Sequence, residues 1–325
     1  MNPSQLIRRR LLGAMALAGL VPRAFGNTYP GRAVRLVSPY GPGGSNDTSA
    51  RILAEALSHK YGQQVVVENK PGAGTRVASD AVAHAVPDGY TLLWAAAPFA
   101  INTGAGLSQR FDIHKDFVAV GPSVLGPIFL IVNASSPVKT VADFVKLAQQ
   151  KPEGVTFASP GIGSGPHLTA ELFASQARFK ALNVHYRGDA TAYTELLAGR
   201  VDATLTAITS ALPFIQAGKL RVIAVAAEQR TPVYHDAPTF AEQGVPGVVG
   251  YGWFGIVAPA GTPAPIVQQL NRDASQALSD AQVRQKLLTL GLQAEPGSSS
   301  DFAAFIDSEV KKWGALVRAR GIVLE

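Results

Sequence analysis

The chain has 325 residues, 47% of them hydrophobic and 16% charged, which suits about two domains with a sizeable core and excludes long-range disorder. Its formal charge of +6 overstates its basicity, because residues 1–26 hold Arg8, Arg9, Arg10 and Arg23 and no acid. The remainder carries 25 basic against 23 acidic residues, so no electrostatic footprint for nucleic acid or an anionic membrane is present.

Residues 1–26 read as an export signal. Arg8-Arg9-Arg10 precedes an apolar run of 11 residues over 11–21, and Ala24-Phe25-Gly26 offers small residues for cleavage before Asn27. The run is shorter than the roughly 20 residues a membrane-spanning helix needs. Arg8-Arg9-x-Leu11-Leu12 resembles a twin-arginine signal, and the three arginines also suit the general export route. No later segment is apolar for long enough to be a membrane helix. The sequence contains no cysteine, which removes disulfides, thiolate metal sites and a cysteine nucleophile. The expected product is a soluble, monomeric, periplasmic protein.

Along the mature chain, short β-rich runs alternate with helical stretches, the pattern of parallel α/β layers. Strands are predicted over 34–38, 64–68 and 91–95, with helices over about 47–61 and 75–85. A second series is predicted to start near Phe129, with a strand at 129–132 and a helix opened by Thr140, where Asp143 completes a capping box. Strands at 155–158, 181–185, 203–207 and 220–226 follow, with helices over 167–176 and 192–198. After Tyr251-Gly-Trp-Phe-Gly-Ile-Val257 the chain reads as helices: one starting at Pro263, then 281–290 and 301–320. Two α/β series and a helical tail predict two lobes, the tail rejoining one of them.

Enzyme signatures are weak. The histidines (59, 84, 114, 167, 185 and 235) show no metal-site spacing, and no cofactor is predicted. No GxSxG elbow occurs; Ser164 and His167 are near enough to form a hydrolase dyad, but Ser164 suits better the cap of a helix starting near His167. Neither Gly41-Pro-Gly-Gly-Ser-Asn46 nor Gly161-Ile-Gly-Ser-Gly-Pro166 completes a dinucleotide fingerprint or carries a P-loop lysine. What remains are glycine-rich loops at strand ends in both halves. Such loops present backbone N–H groups at helix N-termini, which bind a small anion without Arg or Lys. Asp47 either caps its own helix or meets a ligand, and Arg51 reads as its structural ion-pair partner rather than a clamp.

The strings Tyr40-Gly-Pro-Gly-Gly-Ser-Asn-Asp-Thr-Ser-Ala-Arg51, Val67-Glu-Asn-Lys-Pro-Gly-Ala-Gly74 and Pro87-Asp-Gly-Tyr-Thr-Leu-Leu93 resemble the Bug (Bordetella uptake gene) family, extracytoplasmic receptors of tripartite tricarboxylate transporters. His167-Leu-Thr-Ala-Glu-Leu-Phe173, Tyr186-Arg-Gly188, Gly199-Arg-Val-Asp202, Pro238-Thr-Phe-Ala-Glu242 and Ala258-Pro-Ala-Gly-Thr-Pro263 extend the likeness over nearly the whole mature chain. The resemblance implies a two-lobed type II periplasmic binding protein fold with two crossover strands and a C-terminal helical segment. It places lobe 1 at 27–128 and 252–325 and lobe 2 at 129–251, with crossovers near 129–133 and 251–257.

It further implies a carboxylate ligand held through backbone amides and waters, and membrane permease subunits as partners. A sensor kinase is the alternative partner. The ligand-binding residues it implies are Tyr40, Pro42, Gly43, Gly44, Ser45 and Asp47, then Gly74 and Thr75, and in lobe 2 Gly163, Ser164, Gly165, His167, Tyr186 and Gly188. Thr75 stands where the family usually has another glycine, which adds a methyl and a hydroxyl beside the expected pocket. The Tyr-His-Asp-Ala stretch before Pro238 also departs from the family, at a place expected to be remote from the ligand.

Overall fold

The computed structural model describes residues 29–159, 161–186 and 189–324. The export signal with its cleavage site before Asn27, and Gly188, lie outside the described residues. Residues 1–31 and 32–325 are separate units, and the architecture below is that of the second.

The first series is built as its alternating and apolar runs dictate. Strand β1 (Val34–Ser38) buries Val34, Leu36 and Val37, and helix α1 (Ser45–Tyr61) covers it with Ala50, Leu53, Ala54 and Leu57. β2 (Val65–Asn69) and β3 (Thr91–Ala96) flank β1 in parallel, joined through α2 (Arg76–Ala83). A helix not anticipated from the sequence, α3 (Ala97–Gly104), follows β3 directly. Pro98 disguised it as a break, but it sits in the first turn, where no N–H is needed for the helix ladder.

Strand β4 then runs without interruption over Phe117–Asn133. It begins twelve residues before the predicted start at 129, because Gly121-Pro122 and Gly126-Pro127 look like strand breakers. The ladder absorbs the first pair at a register shift between Ala119 and Ser123, and Pro127 still stands opposite Tyr251.

The second series repeats the first: α4 (Val141–Gln149), β5 (Val155–Ser159), α5 (Gly165–Ala177), β6 (Ala181–His185), α6 (Asp189–Leu197), β7 (Ala203–Ala207), the short α7 (Leu212–Gln216) and β8 (Leu220–Val225). The capping box at Thr140 and Asp143 is formed. The chain returns through β9 (Tyr251–Pro259), then α8 (Ala264–Ser279), α9 (Ala281–Thr289), β10 (Gln293–Glu295) and the long α10 (Ser299–Arg320).

The strand order β2-β1-β3-β9-β4-β7-β5-β6 makes one mixed sheet with two parallel parts, β2-β1-β3 and β7-β5-β6. Residues 117–127 of β4 pair with β9, whereas residues 128–133 pair with β7 and β8. Apolar side chains cluster around Trp253, Trp313 and Phe99, where Leu168 and Leu172 of α5 also join, around Phe144, Phe157, Phe173 and Phe240, and around Phe129, Tyr193 and Leu196. This is an α/β architecture of two parallel halves joined through the antiparallel strands β9 and β4.

Two contacts fix α10 on the first half. The buried Glu309 carboxylate accepts from Trp253 Nε1 at 3.2 Å and Trp313 Nε1 at 2.8 Å, and Lys312 neutralises it. At the crossing with α3, Gly314 and Gly104 bring the two backbones together so closely that a Cβ on Gly314 would lie 2.5 Å from the Gly104 carbonyl oxygen. Replacing Gly314 with Val is therefore expected to force the helices apart and cost about 2–4 kcal/mol of stability in urea unfolding. An unchanged unfolding midpoint would show that the crossing is slack.

Candidate functional site

The parallel strands of each half end in loops that open helices, and the predicted site residues lie on these loops. After β1, residues 39–44 are rich in proline and glycine, and α1 starts with Gly44 as its N-cap at φ −80° and ψ 171°. No side chain caps this helix, so the N–H groups of Ser45 and Asn46 point out of its first turn without an acceptor among the described residues.

Asp47 is not the N-cap. Its carboxylate turns back to accept from the Gly43 N–H at 2.9 Å, Arg51 Nε at 3.0 Å and Asn69 Nδ2 at 2.9 Å. Arg51 adds a second charged contact at 2.9 Å and reaches Asn69 Oδ1 at 3.1 Å. Burial alone would raise the Asp47 carboxyl, but these hydrogen bonds outweigh it and hold the group below the usual carboxylate range. Its oxygens are occupied, so Asp47 shapes the loop. Asn69, from the end of β2, also holds the Tyr40 carbonyl at 2.9 Å and so ties the two strand ends together.

Sequence reasoning missed Asn46. It is 3% exposed, and Ser38 Oγ donates to its Oδ1 at 2.7 Å, while its Nδ2 has no acceptor among the described residues. A side-chain amide in a helix's first turn gives no sequence signal that separates it from an ordinary turn residue. Tyr40 keeps 38% of its surface open, yet desolvation pushes its phenol up to about 12. Pro42, Gly43, Gly44 and Ser45 are exposed beside it.

The loop after β2 is the most strained backbone in the chain. Gly72, Ala73, Gly74 and Thr75 have φ of 140°, 46°, 58° and 77°, four consecutive left-handed residues. Thr75 thus occupies, with a β-branched side chain, a conformation that glycine adopts freely. The turn is pinned by Asn102 Nδ2 on the Gly74 carbonyl at 2.9 Å, Arg76 Nε on Ala73 at 2.8 Å and Ser79 Oγ on Thr75 at 3.2 Å.

In the second half, the loop after β5 opens α5. Ser164 is the N-cap: its Oγ accepts from the His167 N–H at 3.3 Å and donates to the Gly161 carbonyl at 2.7 Å. The His167 ring faces the other way, with Nδ1 accepting from the Gly163 N–H at 3.0 Å. No hydrogen bond joins Ser164 Oγ to the imidazole, so the dyad arrangement is absent. The Gly163 N–H is thus taken by His167 in this structure.

His167 and His185 stack edge to face at 4.7 Å, and His185 Nδ1 meets Ser159 Oγ at 2.6 Å. Desolvation, with the His185 charge as the smaller cause, lowers His167 to about 4. Tyr186 continues the same edge, its N–H on the Ser159 carbonyl at 2.8 Å. Among the described residues, no group of three or more His, Asp or Glu is placed to hold a metal. A groove of about 800 Å³ between α1, α8 and α9 shares no residue with these loops, and its Lys60–Asp273 and Lys286–Glu55 pairs satisfy one another.

The model of the tripartite tricarboxylate transporter family receptor matches residues 49–322. Protein BugT of Bordetella pertussis is 33% identical over 96% of this chain and 96% of its own length. An R. palustris protein solved with adipate superposes with a TM-score of 0.78 at 33% identity, covering 91% of this chain and 99% of that one. MatC from Rhodopseudomonas palustris, solved with bound malate, gives 0.75 at 31% identity, covering 89% and 100%. The chain belongs to the receptor family of the tripartite tricarboxylate transporters.

Proposed function

We propose that this receptor is periplasmic, is released from its leader before Asn27, and captures a small carboxylate between lobe 1 (27–128 and 252–325) and lobe 2 (129–251). The loaded form then delivers the ligand to the membrane subunits of its transporter. The observation that carries the reading is the uncapped N-terminus of α1 beside an arginine that is already paired with Asp47. Positive potential is offered by amides rather than by a free cation. The relatives' ligands, adipate and malate, are acids of the kind such amides recognise.

In this reading the carboxylate rests on the N–H groups of Ser45 and Asn46, with Asn46 Nδ2, the 72–75 turn and the 161–167 loop around it. Each hydrogen bond to a charged oxygen contributes roughly 1.5–3 kcal/mol and a helix N-terminus about 0.3–1. Three or four contacts, less an association cost of several kcal/mol, leave affinity of about a micromolar. The Ser164 hydrolase alternative lacks its base, since the His167 ring is engaged elsewhere.

Gly44 provides the mutational test. Its φ is −80°, and a Cβ on it would meet nothing within 4 Å. Gly44→Val therefore folds without strain and places its methyls over the α1 amides. Calorimetric titration with adipate and malate is expected to show binding to the wild type that falls at least about tenfold in Gly44→Val. Arg51→Ala is expected to lower stability through the loosened loop and to leave affinity within about tenfold. Loss of binding in a folded Arg51→Ala protein, with Gly44→Val unaffected, would make the site a charge clamp instead.

Acid provides a second test. The fold favours neutral His167, whose value lies near 4 against the ordinary 6.5. The unfolded chain binds the proton more readily, so stability is full above about pH 6.5 and falls as the pH drops towards 4. The loss attributable to His167 is at most about 3 kcal/mol. His167→Asn keeps an acceptor for the Gly163 N–H and does not titrate. Its stability is expected to decline less steeply between pH 6.5 and 4, retaining the contribution of His185, which desolvation also lowers, and near pH 4 that of carboxylates such as Glu68, which the Lys70 hydrogen bond holds below the ordinary range. Parallel stability curves for the two proteins would refute the assignment.

A further inference from the structure

The end of the chain crosses from one half of the molecule to the other. Helix α10 belongs to the first half through Gly104, Phe302 and Glu309, yet its last turn and the residues after it contact α5 and the loop that opens it. Arg320 donates from Nε and places a second guanidinium nitrogen on Glu171 Oε2, both at 2.8 Å. Glu171 is largely buried on α5, and Asn183 Nδ2 occupies its other oxygen at 2.6 Å.

Gly321 ends the helix in the left-handed conformation, which turns the chain back over α10. Ile322 and Leu324 then join the apolar cluster that includes Leu168 and Leu172 of α5, while Val323, between them, is 80% exposed. Leu324 sits directly on the second-half loop. A Cβ on Gly163 would lie 3.2 Å from Leu324 Cδ2, so the glycine at φ +69° supplies the seat for that leucine.

We propose that the segment from Arg320 to Leu324 is the positioning element of the 161–167 loop. Arg320 fixes α5 through Glu171, and Leu324 holds Gly163 in the conformation whose N–H meets His167. A tail carried by the first half thereby sets the geometry of a loop on the second, and couples ligand affinity to how the halves stand against each other. The proposal rests on the reading that this loop faces the carboxylate. None of the tail residues needs to touch the ligand.

The test uses the full-length protein and the variants Arg320→Ala, Arg320→Lys, Leu324→Ala and, as a control, Val323→Ala. Amide hydrogen exchange of the 161–168 segment is measured without ligand, adipate affinity by calorimetry, and global stability in urea. Arg320→Ala and Leu324→Ala are expected to speed exchange in that segment about tenfold and weaken adipate binding by a similar factor. Exchange in β1 to β3 and the urea midpoint are expected to move little. Arg320→Lys keeps the charge without the two-pronged geometry and is expected to recover part of the loss. Val323→Ala is expected to match the wild type.

Exchange at 161–168 that is unchanged, or that rises equally across the whole chain, would overturn the proposal. If the wild type ignores adipate while the local exchange responds as described, positioning by the tail stands and the carboxylate reading fails. Adipate binding that is tight and identical in all variants would sink the tail's role and leave the carboxylate reading intact.

Discussion

Strand β4 is shared by both halves of the sheet, and the remainder of the molecule is arranged around that sharing. Its residues 117–127 hydrogen-bond to β9 and its residues 128–133 to β7 and β8, so the chain changes partners without leaving the extended conformation. Backbone ladders tolerate bending and twisting far better than loss of their hydrogen bonds. The apolar clusters of the two halves are therefore joined by strands that continue through the junction. Helix α10 extends the connection, since it is clamped to β9 by Glu309 and touches α5 at its far end.

The chemistry of the strand ends follows from how charge is distributed there. Arg51 and Asp47 neutralise one another, which removes the obvious cation from consideration and uses Asp47 to shape the Gly43 turn. The field that remains comes from oriented peptide groups, chiefly at the uncapped start of α1. Amides suit the capture and release of an acid, because they recognise its oxygens without the desolvation of a buried ionic side chain. The left-handed run at 72–75 belongs to the same design: strain in the backbone is held by Asn102, Arg76 and Ser79 and presents peptide groups in a fixed direction.

Much of this was legible because local chemistry and tertiary structure agree. The 203–207 strand and the Thr140 capping box need only their own residues, and they lie where alternation and helix-start chemistry put them. Ser164 as a helix cap was readable for the same reason. The failures occur where distant residues decide. The first half of β4 carries two Gly-Pro pairs that only its partner β9 makes tolerable. The seat of Leu324 on Gly163 joins residues far apart in the chain, and neither it nor the orphaned amide of Asn46 is encoded by a spacing rule.

The central claim is that backbone amides, not a cationic side chain, receive the ligand's carboxylate. It is tested most directly by the nitrogen–proton spectrum of isotopically labelled protein titrated with adipate. The account predicts that the largest shifts fall on the backbone amides of Gly44, Ser45 and Asn46, with the Arg51 Nε resonance unmoved because Asp47 already holds it. A large displacement of the Arg51 Nε signal, with those three amides unchanged, would contradict it.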